Sequence, residues 1–165
     1  MTNPLFYAKI LLFGEYGIIE DSQGLTLPYS FYKGALKFSS LQSDFEKESN
    51  ESLKKYANYL KDLELPEAYT INISALQKDI RKGLFFDSNI PQGYGVGSSG
   101  ALVAAIFERY SIKTYLPEHI SKDELKDLKK IFGQMESYFH GKSSGIDQLI
   151  CYMNVPLLIE NKENE

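Results

Sequence analysis

Ile90-Pro-Gln-Gly-Tyr-Gly-Val-Gly-Ser-Ser-Gly-Ala-Leu-Val-Ala-Ala-Ile-Phe107 places three glycines, Gly93, Gly95 and Gly97, at alternate positions before two serines and an apolar run. Glycine lacks a Cβ, so backbone N–H groups can crowd around a ligand in conformations that other residues avoid. The apolar run predicts a buried helix, and Ser98 or Ser99 is expected to cap its start. A helix N-terminus that opens from a loop of free amides suits a phosphate group. The stretch therefore points to a nucleotide and to a helix at the centre of the fold.

The rest of the chain bounds that reading. At 165 residues it is long enough for one domain with a real core and short for two. A hydrophobic share of 43% places it among folded globular chains. The longest apolar run, from Ala101 to Phe107, is far too short to span a membrane. The Met1-Thr-Asn-Pro start carries no secretory pattern, and the lone Cys151 excludes an internal disulfide and suits a reducing cytoplasm. With 22 acidic against 18 basic residues, a nucleic-acid partner is disfavoured. No Cys/His cluster suggests structural zinc.

Periodicity gives the organisation. Phe6 to Phe13 reads as a strand interrupted by Lys9, Gly14-Glu-Tyr-Gly17 as a turn, and Ile18-Ile19 as a short extended piece. Tyr29 to Phe38, Tyr69 to Ile73 and Leu84 to Ile90 read as strands, with a short helix from Ser74 to Lys82. Asp44 to Leu63 is an amphipathic surface helix. Ser121-Lys-Asp-Glu124 is a capping box opening a helix to His140, lined by Leu125, Leu128, Phe132, Met135 and Phe139. His140 to Asp147 is a turn-rich link, and Leu149 to Ile159 reads as a hairpin around Asn154-Val-Pro156. Strands and helices without strict βαβ alternation indicate an α+β fold.

Three polar residues stand out. At about 100° per residue, Glu136 projects roughly 20° from Leu125 and about 40° from Phe132, at the edge of the apolar stripe. Taken alone it is a rim glutamate reaching water. Beside a phosphate loop, it and Ser99 could supply the one or two protein oxygens that magnesium typically takes. Asp147, after Gly145-Ile146, is as readily a structural turn residue as a catalytic one. Lys9 is the only charge in its apolar run. Paired with Asp147, it would hold that acid charged and poised to take a proton from an alcohol.

Gly95, Gly97 and Gly100 fit Gly-x-Gly-x-x-Gly, but Pro91-Gln92 separates them from the preceding strand, unlike a dinucleotide-binding turn. No Gly-Lys-Ser/Thr follows, so Walker A is absent.

Three segments in order resemble the GHMP kinases (galacto-, homoserine, mevalonate and phosphomevalonate kinases), most closely the mevalonate kinase branch. Lys9-Ile-Leu-Leu-Phe-Gly-Glu-Tyr16 is similar to the family's strand lysine leading to Gly-Glu-His. Pro91-Gln-Gly-Tyr-Gly-Val-Gly-Ser-Ser-Gly100 resembles its phosphate loop. Glu136-Ser-Tyr-Phe-His-Gly-Lys-Ser-Ser-Gly-Ile-Asp147 resembles the Glu-x-x-x-His-Gly-x-x-Ser-Gly-x-Asp segment. Tyr16 stands where the family has histidine, Gly100 where it has alanine, and Lys142-Ser143 where mevalonate kinases commonly have Asn-Pro.

The resemblance implies a ribosomal-protein-S5 domain-2-like α+β domain spanning residues 1–165, the ATP-binding N-terminal domain, with the family's C-terminal domain absent. It implies ATP and Mg²⁺, with Asp147 as catalytic base and Lys9 as its partner. Gly93, Tyr94, Gly95, Val96, Gly97, Ser98 and Ser99 would wrap the phosphates, and Ser99 and Glu136 would hold magnesium. Glu15, Tyr16 and Ser144 would lie near the acceptor, a small-molecule alcohol such as mevalonate, an isoprenoid precursor. The expected partners are that substrate and a C-terminal domain or split partner, with no nucleic acid and no membrane. The alternatives are phosphomevalonate or homoserine as acceptor, a non-catalytic nucleotide-binding or assembly module, and a dehydrogenase.

Overall fold

The computed structural model describes residues 3–13, 24–41 and 43–159. The expected turn at Gly14 to Gly17 and the extended pair Ile18-Ile19 lie outside them. β1 (Phe6–Phe13) and β2 (Gly24–Phe38) are followed by α1 (Asp44–Lys61), α2 (Ile73–Arg81) and β3 (Leu84–Ser88). α3 (Ser98–Tyr110), α4 (Lys122–His140), α5 (Ile146–Met153) and β4 (Leu157–Ile159) complete the α+β fold.

The long β2 organises one antiparallel sheet. β1 runs along one edge, from Phe6 opposite Gly34 to Phe13 opposite Leu25. β3 and β4 share the other edge, β3 at Gly34 to Phe38 and β4 at Gly24 to Thr26. Helices pack on this sheet around α3, where Ala101, Val103, Ala104, Ile106 and Phe107 are completely buried. A helix apolar on nearly every side can lie only inside a fold. Phe107 meets Phe132 of α4 edge-on, with ring centroids 5.1 Å apart, so truncating it to alanine would cost about 3–5 kcal/mol. Among the described residues no helix is long and apolar enough to cross a membrane.

Local chemistry explains where sequence and structure part. The expected strand from Tyr69 to Ile73 is instead a 3-10 turn at Glu67–Tyr69, an isolated bridge from Ile71 to Ser111, and the start of α2. Asn72 ends the extended piece, because its side chain accepts a hydrogen bond from Ala75 N at 3.0 Å and caps α2. The expected hairpin from Leu149 to Ile159 is α5 followed by the short β4. Leu149, Ile150, Cys151 and Met153 are buried on α5, and Asn154, left-handed at φ 52°, ends it. β2 begins at Gly24, five residues before the expected Tyr29.

Candidate functional site

The glycine loop lies against β1. Lys9 N donates to Val96 O at 2.9 Å, which fixes the loop beside the middle of the strand. Gly97 is the N-cap residue of α3, left-handed at φ 85°. A Cβ there would stand 3.1 Å from Lys9 Cγ and 3.3 Å from Cys151 Sγ, so this position needs glycine for space as well as conformation. Contrary to expectation, neither Ser98 nor Ser99 caps α3, and among the described residues no side chain accepts from its first turn. Among the described residues the N-terminal end of α3 thus keeps donors that no side chain caps, along with its positive dipole end.

Ser99 is engaged elsewhere. Its Oγ donates to Glu136 Oε1 at 2.5 Å and lies 3.4 Å from His140 Nε2. Glu136, on α4, is 3% exposed, deeper than a stripe-edge position suggests. Its Oε2 is buried without a hydrogen-bond partner. Burial is the main cause pushing the Glu136 carboxyl above the usual carboxylate range, and the nearby Asp147 adds to it. Ser99, His140 and Gln148 pull the other way. An orphaned, buried carboxylate oxygen is costly unless something cationic meets it.

Asp147 sits in the first turn of α5, with Gly145 as the N-cap. Its Oδ1 meets Lys9 Nζ at 2.9 Å, with the lysine side chain largely buried and the carboxylate half open to solvent. The backbone of Asp147 packs on α3, since a Cβ on Gly100 would come within 3.2 Å of its carbonyl. Glycine at 100 therefore lets the two helix starts approach. Beneath them Cys151, 3% exposed, points its Sγ at Gly97 O, 3.8 Å away, and burial pushes its thiol well up.

The structure thus brings together Lys9, Asp147, Ser99, Glu136 and the loop. Tyr94 is 80% exposed. Ser144 is exposed two residues before α5, where its Oγ accepts from Ile146 N at 3.4 Å. Glu15 and Tyr16 lie outside the described residues. His140 and Gln148 went unread as neighbours of Glu136. Gln148 is 1% exposed with an unpartnered Oε1, and recognising α5 as a helix would have been the signal for it. No group of three or more His, Cys, Asp or Glu side chains able to hold a metal occurs among the described residues. The oxygens that could meet a cation beside the loop are Ser99 Oγ and Glu136 Oε2, a sparse set of the kind magnesium accepts when waters and phosphates supply the rest.

Residues 53–154, well over half of the chain, match the family described as the GHMP kinases N terminal domain. The chain belongs to the GHMP kinase family. The match includes the glycine loop, Glu136 and Asp147 and begins after Lys9, so Lys9 joins the site by geometry. The crystal structure of L. major mevalonate kinase in complex with R-mevalonate is similar over 100% of this chain and 50% of that one, with a TM-score of 0.53 and 14% identity. That likeness shows the fold. The chain spans half the length of that GHMP kinase. No curated protein sequence matches it.

Proposed function

We propose that this chain is the catalytic N-terminal portion of an ATP- and Mg²⁺-dependent kinase that phosphorylates the hydroxyl of a small alcohol, mevalonate first among the candidates. The contact of Lys9 with Asp147 beside the uncapped start of α3 carries the reading. It sets a carboxylate next to donors that suit phosphate. In this reading Asp147 takes the proton of the acceptor hydroxyl, and Lys9 orients that carboxylate and balances its charge. The loop from Gly93 to Ser99 and the first-turn amides of α3 bind the phosphates and fix their direction. Ser99 and Glu136 hold the magnesium, which supplies charge neutralisation on the phosphates when bound. Glu15, Tyr16 and Ser144 contact the acceptor. A C-terminal domain or a separate partner would close the cleft.

The start of α3, which no described side chain caps and which suits phosphate whether or not it is transferred, also fits one other reading, a module that binds nucleotide without turnover. Phosphorus NMR of the purified chain with Mg·ATP and mevalonate distinguishes them. Phosphomevalonate is expected, and Asp147→Asn should slow its formation by about 10²–10⁴-fold, the usual contribution of a positioned base. Saturable Mg·ATP binding without product supports the module. Product formation unimpaired in Asp147→Asn excludes the assigned base, and failure to bind Mg·ATP excludes both readings.

A further inference from the structure

A second site lies elsewhere on the molecule. A cavity of about 710 Å³ opens between α1 and α2, under the end of β2. None of its lining residues comes from β1, α4, α5 or the glycine loop. Its walls carry Lys47 and Lys54 from α1 and Arg81 and Lys82 from the end of α2. No lining residue is acidic, although the chain as a whole has a net charge of −4. Four cations around one concavity in an acidic protein make a local positive field that attracts anions.

The carboxylates around the cleft do not neutralise that field in full, and Glu46 stands among them, accepting from the hydroxyl of the lining Ser39 at 3.3 Å. Asp44, Glu51 and Asp79 reach Lys47, Lys54 and Lys82 only at 3.8, 3.7 and 3.9 Å, in pairs three residues apart along the chain whose lysines are all exposed. Such pairs are weak and yield readily to a better partner. Arg81 makes no ion pair among the described residues, which leaves its planar donor fork free for a phosphate. The two cations at the end of α2 also answer that helix's negative pole. Lys47 and Lys54 have no such role, standing in the first and third turns of α1.

Spacing then selects the ligand. Seven residues of helix separate Lys47 from Lys54, roughly 10 Å of rise at 1.5 Å per residue. Two linked phosphoryl groups span that spacing with both lysines extended and offer the guanidinium further oxygens, more contacts than one phosphoryl group supplies. Ala57 and Ile80 form an apolar floor and Asn58 and Gln77 add amides, which suits a small organic body. We infer that the cleft between α1 and α2 binds a small anion bearing at least two phosphoryl groups, at a site separate from the Gly93–Ser99 loop.

Inorganic pyrophosphate without magnesium is the probe, followed through backbone amide shifts of the whole chain in about 0.15 M salt, where exposed charges are screened beyond about 8 Å. Saturable shifts are expected at Ser40, Lys54, Lys82 and Gly83, with a midpoint below about 1 mM, an affinity within reach of a few charge-assisted contacts. Replacing Lys47, Lys54 and Arg81 together by alanine should weaken those shifts at least tenfold. Any shifts at Gly93 to Ser99 should remain unchanged in that variant. Absence of saturable shifts at the cleft amides would overturn the inference. So would shifts that survive the triple replacement, or equal shifts produced by sulfate at the same concentration.

Discussion

Gly145→Ala should destabilise the chain far more than Gly93→Ala, although the two glycines share nearly the same backbone conformation, φ 79° and φ 80°. Placing an L-residue in the left-handed region costs about 1–2 kcal/mol at either position. At Gly93 a new Cβ meets nothing within 4 Å, so that cost is the whole effect. At Gly145 the Cβ would run into the Lys129 carbonyl and stand 2.8 Å from Gly133 N. Both obstacles are backbone atoms of α4, which cannot swing aside as a side chain can. The link before α5 must back away from α4, loosening contacts of the fully buried Phe132 and Ile150. Overpacking of this kind adds about 1–3 kcal/mol.

The totals are about 1–2 kcal/mol for Gly93→Ala and about 2–5 kcal/mol for Gly145→Ala. In a domain of this size 1 kcal/mol moves Tm by about 2–4 °C. Thermal melts and urea titrations of both variants read the difference directly. Gly145 also precedes Asp147 by two residues, so its variant should lose alignment of the carboxylate with Lys9 as well as stability. Equal losses at the two positions, within about 0.5 kcal/mol, would refute the claim that the close crossing of α4 and the α5 start fixes this side of the site.

Glu136→Gln should raise stability at pH 7 while lowering phosphoryl transfer about 10²-fold or more. The Glu136 carboxyl is raised chiefly by burial, so its ionised form weakens the fold as pH climbs through the folded-state value; the variant's Tm advantage should vanish near pH 3, about one unit below the ordinary glutamate value of about 4.3. Tyr56→Phe removes a buried hydroxyl that donates to Met135 O at 3.2 Å, and should lower stability by about 1 kcal/mol in urea titration. Cys151 should resist iodoacetamide in the native chain and react once urea unfolds it, because burial keeps its thiol protonated; rapid native labelling, read by mass spectrometry, would contradict its placement.

Elements whose ends are written in local chemistry were legible in the sequence. Ser121 and Glu124 form the capping box that opens α4, and the helix runs to His140 as its periodicity requires. α1 begins at Asp44 behind a second capping box, Ser43 with Glu46. What misled was a short apolar run. Leu149 to Met153 alternates too little to identify a strand and is too short to announce a helix, and only its packing against α3 and α4 decides. That error had consequences for the site. With α5 read as a strand, Gln148 could not be placed beside Glu136, and Glu136 itself looked like a rim residue. Its burial comes from the neighbouring helices, which helical projection of α4 alone cannot reveal. The serines misled for a related reason: local preference makes Ser98 or Ser99 a cap, but the N-cap position falls to Gly97, which puts both serines inside the first turn and leaves Ser99 to donate to Glu136 Oε1 at 2.5 Å.

That diversion leaves two imperfections side by side. Among the described residues, the first turn of α3 has donors without a capping side chain, and Glu136 Oε2 is a buried acceptor without a donor. Capping α3 and pairing Glu136 separately would stabilise a protein that had only to fold. Their polarities are opposite, which restricts what can satisfy both. An anion alone would suit the amides of α3 and be repelled by Glu136. A cation alone would suit Glu136 and be repelled by the positive end of the helix. A metal-bound phosphate presents the anion to the helix and the cation to the carboxylate. The two unmet demands therefore fit a metal–phosphate pair better than either ion alone, and under the proposed function that pair is a magnesium-complexed nucleotide rather than a free one.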